Sequence, residues 1–444
     1  MKKWLLGLGI SVALVGCGNN GAENVSTGGD SSTDDEPAND EGSTVAVELD
    51  SEVEIDFWHA MNGPHEEAVN AIIEEFNDSH EFITVKPVGQ GSYNDLQQTI
   101  MASARANNLP VISQVTTNVI PDYVENNFVQ SLDPYVYDEE IGFSEDELND
   151  VIDIFRESSS WNGEYVTVPF SKSTRILYYN QDVLDEYGFD VPESWDDIKE
   201  ISEAVKADGM VGMGFENAYE MEFEALLLQM GGEYIDEGAM EAHMGSEEGV
   251  QAMTFIKDMI DNGLARTAGE DQYMSNPFGR GDVALYIGSS AGLPHVAAAA
   301  DGNIEWGTTV LPTHEEKEAV GFAGNDIIMF DQATDEEKAA AWEFMKHITS
   351  TDVTANWAMD TGYLPVRYSS YDLDEYQAFI EEQPKYAAAG EQFDAGFFTG
   401  RVPGGNTIRN IVIEELEEIL LDRKTVEEGL QSAQDRANAE LSNN

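Results

Sequence analysis

The sequence predicts an α/β protein in two lobes, and three observations lead to this prediction. Segments with alternating apolar residues, typical of strands, are separated by segments with apolar residues every three or four positions, typical of helices. No repeat with a period of 20–50 residues is present. The chain has 444 residues, and more than ~300 residues of such units usually divide into two lobes. We therefore expect parallel sheets covered by helices, with a ligand site between the lobes.

The first half of the chain predicts three strands and two helices. Val53, Ile55 and Phe57 alternate with acidic residues, which indicates a strand. Apolar residues then recur at helical spacing after Pro64, which is typical of the first turn of a helix. By the same criteria we expect strands at 83–85 and 111–115 and a helix at 94–106.

The second half continues this alternation. Ser194 is followed three residues later by Asp197, a pattern that predicts a capped helix ending at Gly209. Residues 283–287 form an apolar run that predicts a strand. Helices are then expected at the remaining periodic segments, 336–348 and 408–421.

The composition is strongly acidic. Lys and Arg number 22 against 86 Asp and Glu, which gives a formal net charge of −64 at pH 7, while 41% of residues are hydrophobic, enough for a packed core. Such a charge excludes nucleic acid as a general partner and adsorption on an anionic membrane through a basic surface. It indicates either an exterior of high salt or alkaline pH, where screening reduces self-repulsion, or an ordinary acidic secreted protein.

The first 52 residues predict export and anchoring rather than a folded domain. Two lysines precede an apolar run at 4–16, which is too short to span a bilayer and has the length of a signal sequence. The run ends at Cys17, the single cysteine, in a segment that resembles the lipobox of bacterial lipoproteins. We expect residues 1–16 to be a signal peptide and 17–52 an acidic disordered tether. The alternative is an ordinary secretory signal with an incidental cysteine.

Motifs for catalysis or metal binding are scarce. No phosphate-binding glycine loop or paired-histidine metal motif is present, and a single cysteine excludes an intrachain disulfide and a cysteine zinc site. Residues 288–292, Gly-Ser-Ser-Ala-Gly, match a nucleophile elbow after a strand, in which Ser290 would need His314 or His347. The alternative is a Gly/Ser turn beside a ligand. Paired carboxylates of a glycosidase cannot be singled out among so many acids.

Rare basic residues outside predicted helices are candidates for binding an anion. Arg401 lies in a Gly/Pro segment after two phenylalanines, where a planar guanidinium can meet an anion. Residues 170–175, interpreted as a loop, offer hydroxyl groups together with Lys172 and Arg175. Exposed loop charges without a ligand are the alternative for both segments.

Several short segments, which follow one another in a characteristic order along residues 53–442, resemble those of extracellular solute-binding proteins of the maltose-binding-like group (family 1), the receptors of ABC importers. Within this group the similarity is greatest to glycerol-3-phosphate-binding receptors. The segments that carry the resemblance are Phe57-Trp58-His59 with 74–77, 90–93, 169–180, 194–197, 281–284, Leu311-Pro312, 361–365 and Arg401 with Ile408-Arg409.

The resemblance implies a type II periplasmic-binding-protein fold, with ligand held in a cleft between two α/β lobes. The N-terminal lobe would comprise residues 53–168 plus about 308–356, and the C-terminal lobe 169–307 plus about 357–444. Crossing segments are expected near 169–179 and 306–322. The resemblance further implies a monomeric receptor outside the cytoplasm that is not an enzyme and needs no cofactor or metal. Its partners would be an ABC permease and, through lipid alone, the membrane.

The resemblance also implies ligand-binding residues, and most of them suit a phosphate. They are Tyr93, Ser173, Ser289 or Ser290, Gly324, Tyr363 and Arg401. Thr117 stands where the glycerol phosphate receptors carry a glutamate, and Asp326 lies in a segment that departs from their pattern. Either residue is therefore a candidate for binding sugar hydroxyls. We expect glycerol-3-phosphate or a related glycerophosphodiester as the ligand, with a neutral mono- or oligosaccharide as the alternative and a secreted serine hydrolase as a remote one.

Overall fold

A computed structural model describes residue 45 and residues 47–443 of the chain. Cys17 and the predicted signal peptide lie outside the described residues. Val45 and Leu49, within the predicted tether, pack against an apolar core. The packed body therefore begins by residue 45 rather than at 53, because apolar residues alternate with acidic ones there.

The strands within the described residues form one ten-stranded sheet and two short hairpins. The order in the large sheet is β10-β7-β11-β6-β13-β3-β1-β2, with β12 paired to β6 and β14 to β13. The strands are β1 Val53–His59, β2 Ile83–Gly89, β3 Ile112–Thr116, β4 Ser160–Trp161, β5 Glu164–Tyr165, β6 Thr167–Asn180, β7 Val211–Phe215, β8 Ile235–Asp236, β9 Glu241–Ala242, β10 Ala265–Thr267, β11 Val283–Ser289, β12 Trp306–Thr309, β13 Val320–Met329 and β14 Gly396–Phe398.

Helices cover both halves of this sheet, and the ones expected from the sequence are present. Ser194 and Asp197 form the predicted capping box at the start of α8. The α-helices of the described residues are α1 Pro64–Ser79, α2 Tyr93–Ala106, α3 Ile120–Glu125, α4 Asp133–Val136, α5 Glu145–Asp150, α6 Asp153–Ser158, α7 Gln181–Tyr187, α8 Trp195–Lys206, α9 Glu220–Gln229, α10 Glu247–Asp261, α11 Ser275–Gly279, α12 Leu293–Ala300, α13 Asp335–Ile348, α14 Thr351–Thr361, α15 Tyr368–Tyr371, α16 Asp374–Glu382, α17 Gly405–Leu420 and α18 Val426–Leu441.

The sheet is mixed rather than parallel, which corrects the expectation from the sequence. Strands β1, β2 and β3 pair in parallel, as do β7, β10 and β11. The long strand β6, however, runs antiparallel to β11, β12 and β13, and β13 runs antiparallel to β3. Local apolar patterns predict that a segment is a strand, but its direction depends on connections across the whole chain.

Two large apolar cores lie on either side of the shared strand β6. The first packs β1 against α13, with the rings of Phe57 and Phe344 5.7 Å apart. The second packs α8, α9 and α10 against β7 and β11, around residues such as Trp195 and Phe223. The N-terminal part of β6 pairs with β13 and its C-terminal part with β11 and β12, so this strand connects the two halves. The two-lobed α/β fold is thereby confirmed, while the boundaries of the lobes stay predictions.

Candidate functional site

A cavity of about 270 Å³ lies where elements from both halves of the sheet meet. Its wall combines aromatic rings, side-chain amides, hydroxyl groups and one ion pair. The lining residues are Tyr93, Asn94, Gln97, Thr116, Thr117, Asn118, Glu220, Met221, Tyr234, Phe322, Ala323, Gly324, Phe398, Thr399, Gly405, Asn406 and Arg409.

One wall comes from the start of α2 and the end of β3. A capping box between Ser92 and Asp95 fixes the first turn of α2, which brings Tyr93 to the cavity. After β3 the chain enters a 3₁₀ turn at Thr117–Val119, which places Thr117 and Asn118 beside it. The Thr117 hydroxyl is buried and has no hydrogen-bond partner among the described residues. This wall therefore presents polar groups that a ligand can engage.

The opposite wall comes from the first turns of α9 and α17 and carries the charges of the cavity. Arg409 Nη2 lies 2.5 Å from Glu220 Oε1. The Glu220 side chain is 6% exposed and that of Arg409 35% exposed. Among the lining residues that the structure describes, these two are the only ones with full charges at neutral pH. The second carboxylate oxygen of Glu220 is buried without a hydrogen-bond partner there.

Strand β13 forms the floor of the cavity and depends on a glycine. Gly324 has a φ of 103°, a conformation that disfavours other residues. A Cβ atom at this position would lie 1.9 Å from the carbonyl oxygen of Ser171 in the adjacent strand β6. The backbone can therefore approach both β6 and the cavity only because residue 324 has no side chain.

Tyr93 is held in place by neighbours behind the cavity wall. Asn325 Nδ2 donates a hydrogen bond of 2.8 Å to the Tyr93 hydroxyl. Tyr93 also hydrogen bonds to Tyr363, whose ring stacks on that of Trp357 with centroids 5.6 Å apart. Burial raises the pKa of both tyrosines, so they remain neutral hydrogen-bonding groups.

The structure brings three of the predicted ligand-binding residues to the cavity wall, namely Tyr93, Thr117 and Gly324. The other six lie outside the lining set. Ser173 is buried in β6, and Ser290 is fully buried with its hydroxyl accepting a 3.4 Å hydrogen bond from the Thr174 amide. Ser289 caps the turn after β11, where its hydroxyl accepts from the Ala291 amide. Asp326 and Arg401 have other contacts, and Tyr363 stands behind Tyr93.

Residues 170–175 form part of β6 rather than a loop, which corrects the prediction from their polar composition. Lys172 is completely buried and lies 2.5 Å from Asp326. Arg175 is also buried and contacts Glu216 at 2.9 Å and Glu222 at 2.6 Å. Burial lowers the pKa of Lys172 and raises that of Asp326, whereas their mutual attraction opposes both shifts. Lys172 and Arg175 therefore form structural ion pairs, which the spacing of residues in the sequence does not reveal.

Arg401 lies in the expected segment between β14 and α17, but its guanidinium bonds to the backbone. Nη1 donates to the carbonyl oxygen of Glu157 at 3.1 Å and Nη2 to that of Ser160. The buried Nε has no hydrogen-bond partner among the described residues. Its assignment as an anion-binding residue stays a prediction.

Arg409 is the cation at the cavity, and the sequence did not single it out as a binding residue. Its place in a predicted helix favoured an ordinary surface ion pair, as found for Arg436 with Glu414 and Glu415. The signal in the sequence that could have pointed to this site is the Gly404-Gly405-Asn406 segment. Gly404 precedes α17 and has no side chain with which to cap the helix. An uncapped first turn leaves backbone N–H groups available to a ligand.

Hydrogen bonds join the two walls directly. The Gly404 amide donates to Asp122 Oδ1 at 2.7 Å. Asn406 Oδ1 accepts from Asn118 at 3.3 Å, and Asn406 Nδ2 donates to Gln97 at 3.1 Å. Because α17 packs in one half and the other residues in the opposite half, these bonds connect the two halves beside the cavity.

The described part of the chain contains no cluster of three or more His, Cys, Asp or Glu side chains suited to a metal ion. Within those same residues, no helix combines the length and apolar character needed to cross a membrane.

A cavity between two α/β halves, lined by aromatic rings, neutral hydrogen-bonding groups and one ion pair, suits a receptor for a small solute. The family described as bacterial extracellular solute-binding proteins matches residues 71–388. The chain belongs to this family, whose members are substrate-binding receptors of ABC importers and not enzymes. The hydrolase alternative for Ser290 is therefore wrong, in agreement with its buried hydroxyl.

Relatives and structural neighbours agree on the class of protein and differ in their ligands. The sn-glycerol-3-phosphate-binding periplasmic protein UgpB of Pectobacterium atrosepticum is 26% identical over 413 residues, covering 87% of this chain and 91% of the relative. The crystal structure of UgpB from Mycobacterium tuberculosis in complex with glycerophosphocholine has a TM-score of 0.77 at 23% identity, covering 88% of this chain and 99% of that one. The cyclic alpha-maltosyl-1,6-maltose binding protein of Arthrobacter globiformis has a TM-score of 0.76 at 23% identity, covering 89% and 100%.

Proposed function

We propose that this receptor binds a glycerophosphodiester, or glycerol-3-phosphate itself, and delivers it to an ABC permease. The observation that carries the proposal is the position of Arg409 on the cavity wall beside the uncapped first turn of α17. The UgpB relatives named above support the same class of ligand.

An anion needs local compensation in a protein with a net charge of −64. A guanidinium donates paired, charge-assisted hydrogen bonds to phosphate oxygens, and the N-terminus of a helix adds backbone N–H groups with a favourable dipole. Arg409 and the first turn of α17 provide both at one place. Arg401, with its unpartnered Nε, remains the second candidate for this role.

The charge of the cavity favours a phosphodiester over a phosphomonoester. Arg409 is partly neutralised by Glu220 at 2.5 Å. A phosphodiester carries one negative charge, whereas a phosphomonoester carries about 1.5 to 2 at pH 7. In glycerophosphocholine the quaternary ammonium would in addition be attracted by the faces of Tyr234 and Phe398.

A neutral sugar is the second candidate, and the amide-rich wall favours it. Asn94, Gln97, Asn118 and Asn406 offer donors and acceptors suited to hydroxyl groups. The cavity of about 270 Å³ lies just below the usual range of ~300–1,000 Å³ for ligand pockets. A monosaccharide or disaccharide would therefore fit this cavity better than a long oligosaccharide.

We also propose that Cys17 carries a lipid that anchors the receptor to the outside of the cell membrane. Support comes from the sequence alone, because the single cysteine follows Leu14-Val15-Gly16 at the end of the apolar run. A lipid anchor would keep the receptor near its permease, and stable anchoring by acyl chains follows from the apolar area they bury.

Thermal shift with a ligand panel tests the ligand class. We expect glycerophosphocholine at 100 times its dissociation constant to stabilise the protein by ~2.7 kcal/mol, with a corresponding rise in melting temperature. Glycerol-3-phosphate, maltose and trehalose complete the panel, and choline and glycerol serve as fragment controls. Stabilisation by a sugar alone would replace the phosphodiester with the second candidate.

A further inference from the structure

Helix α9 carries a buried glutamate without a cationic partner. Glu216 and Glu222 contact Arg175, and Glu220 contacts Arg409. Glu224 is only 4% exposed, yet among the described residues no Lys, Arg or His lies within ion-pair distance of it. A carboxylate buried in this way is held against a large desolvation penalty.

Among the described residues, the one side-chain hydrogen bond to Glu224 comes from a residue of the cavity wall. Thr399 Oγ1 lies 2.7 Å from Glu224 Oε2, and Thr399 lines the cavity at the end of β14. Among the described residues, the other titratable groups that interact with this carboxyl are Glu220 on the same helix and Tyr234 after it, while Arg409 on α17 interacts with Tyr234 and pairs with Glu220. Burial, together with the negative charge of Glu220, raises the pKa of Glu224 to about 8.

The state of this carboxyl decides what the Thr399 hydroxyl can offer to a ligand. A hydroxyl has one hydrogen to donate and lone pairs to accept with. When Glu224 is ionised it can only accept, so Thr399 donates to it and presents lone pairs to the cavity. When Glu224 is protonated it can donate to Thr399, and the Thr399 hydrogen is then free to turn toward a ligand oxygen.

We propose that Glu224 is a specificity-determining residue, which lets the cavity bind an anion only while it is protonated. The inference rests on the proposed anionic ligand. Phosphate oxygens accept hydrogen bonds and repel an ionised carboxylate, so both effects favour the protonated state. A ligand that donates from hydroxyl groups gains from the ionised state instead.

Isothermal titration with glycerophosphocholine between pH 6.5 and 9.5 tests the proposal. The phosphodiester does not change its charge over this range, and none of the described lining residues is a His, Lys or Cys. We expect wild-type affinity to fall about tenfold per pH unit above the midpoint of Glu224, because binding then requires uptake of a proton. Because this proton is taken from the buffer, the binding enthalpy should change between buffers of different ionisation enthalpy.

Three variants locate the effect. Glu224→Gln keeps a neutral donor, so its affinity should stay within about threefold of wild type at pH 7 and become independent of pH. Thr399→Val should bind more weakly at every pH and show a flatter profile. Glu233→Gln, which removes one exposed acidic charge, is the matched control and should keep the wild-type profile. A flat wild-type profile, or a wild-type slope in Glu224→Gln or in Thr399→Val, would overturn the proposal.

A ligand-free measurement separates this inference from the proposed function. If glycerophosphocholine binds at no pH, the phosphodiester assignment fails, but the side-chain carboxyl carbons can still be titrated by NMR. A resonance that is missing from Glu224→Gln and has a midpoint near pH 8 would support a proton-binding Glu224. A midpoint below about pH 5.5 would contradict it, because the carboxyl would then be ionised wherever the receptor works.

Discussion

Replacing Arg409 should weaken an anionic ligand far more than a neutral one. Its guanidinium is half-buried on the cavity wall and forms one ion pair, with Glu220. Hydrogen bonds to charged groups contribute ~1.5–3 kcal/mol each, and one such bond lost to Arg409→Gln corresponds to about tenfold to a hundredfold in dissociation constant. Arg409→Lys should recover part of this, because it keeps the charge and loses the planar fork.

Glu220 provides a second test of an anion site at Arg409. In Arg409→Gln the Glu220 carboxylate, 6% exposed, would face the ligand without its partner and repel a phosphate. The double variant Arg409→Gln with Glu220→Gln should therefore bind glycerophosphocholine better than Arg409→Gln alone. Isothermal titration of wild type, Arg409→Gln, Glu220→Gln and the double variant, with maltose as a second ligand, completes the double-mutant cycle.

Arg401→Ala tests the other candidate position for the anion. The Arg401 guanidinium already donates to the carbonyl oxygens of Glu157 and Ser160, so we expect its loss to lower the melting temperature more than the affinity. A tenfold or greater loss of phosphodiester affinity in Arg401→Ala, with wild-type affinity in Arg409→Gln, would show that the anion is held at Arg401.

Four further outcomes follow from the structure and the sequence. Gly324→Ala should lose roughly 2–5 kcal/mol of stability in urea unfolding, because its Cβ would meet Ser171 at a positive φ; an unchanged midpoint would contradict this. The pKa of Glu224 is raised from 4.5 to about 8 in the folded protein, so ionisation of this carboxyl opposes folding. The free energy of unfolding of wild type should therefore fall by up to about 4–5 kcal/mol relative to Glu224→Gln as the pH rises between these two pKa values. Parallel stability profiles of the two proteins would refute the shift. With a net charge of −64, the melting temperature should rise between ~0.05 M and ~1–2 M NaCl, where the screening length falls to about 3 Å, and a flat curve would remove the high-salt interpretation. Cys17→Ala should move the protein from the membrane fraction to the medium, whereas a membrane-bound variant, with no fatty acid on the wild type, would exclude the lipid anchor.

The local structure was largely predictable from the sequence. Alternation and helical spacing located β1, α2, β11 and α13 to within a residue or two, and the start of α1, since these patterns reflect which face of an element is buried. Capping residues such as Ser194 added the helix starts. The resemblance to solute-binding proteins added the two-lobed fold, which local patterns cannot specify.

Pairing between distant residues was not predictable, and the candidate site depends on it. The polar run in β6 indicated a surface loop, because Asp326, Glu216 and Glu222, which neutralise its cations, lie far away in the sequence. In the same way, nothing in the spacing of α17 shows that Arg409 pairs with Glu220 on a cavity wall. Charged residues in such a chain have many possible partners, and only the fold selects among them.

A crystal structure with glycerophosphocholine bound would test the central claim most directly. We expect the phosphate in the cavity, with an oxygen about 2.7–2.9 Å from the Arg409 guanidinium and the first turn of α17 directed at it. A phosphate held by Arg401, with Arg409 still paired only to Glu220, would contradict the assignment of the anion site. A neutral sugar retained in the cavity in place of the phosphodiester would contradict the proposed ligand.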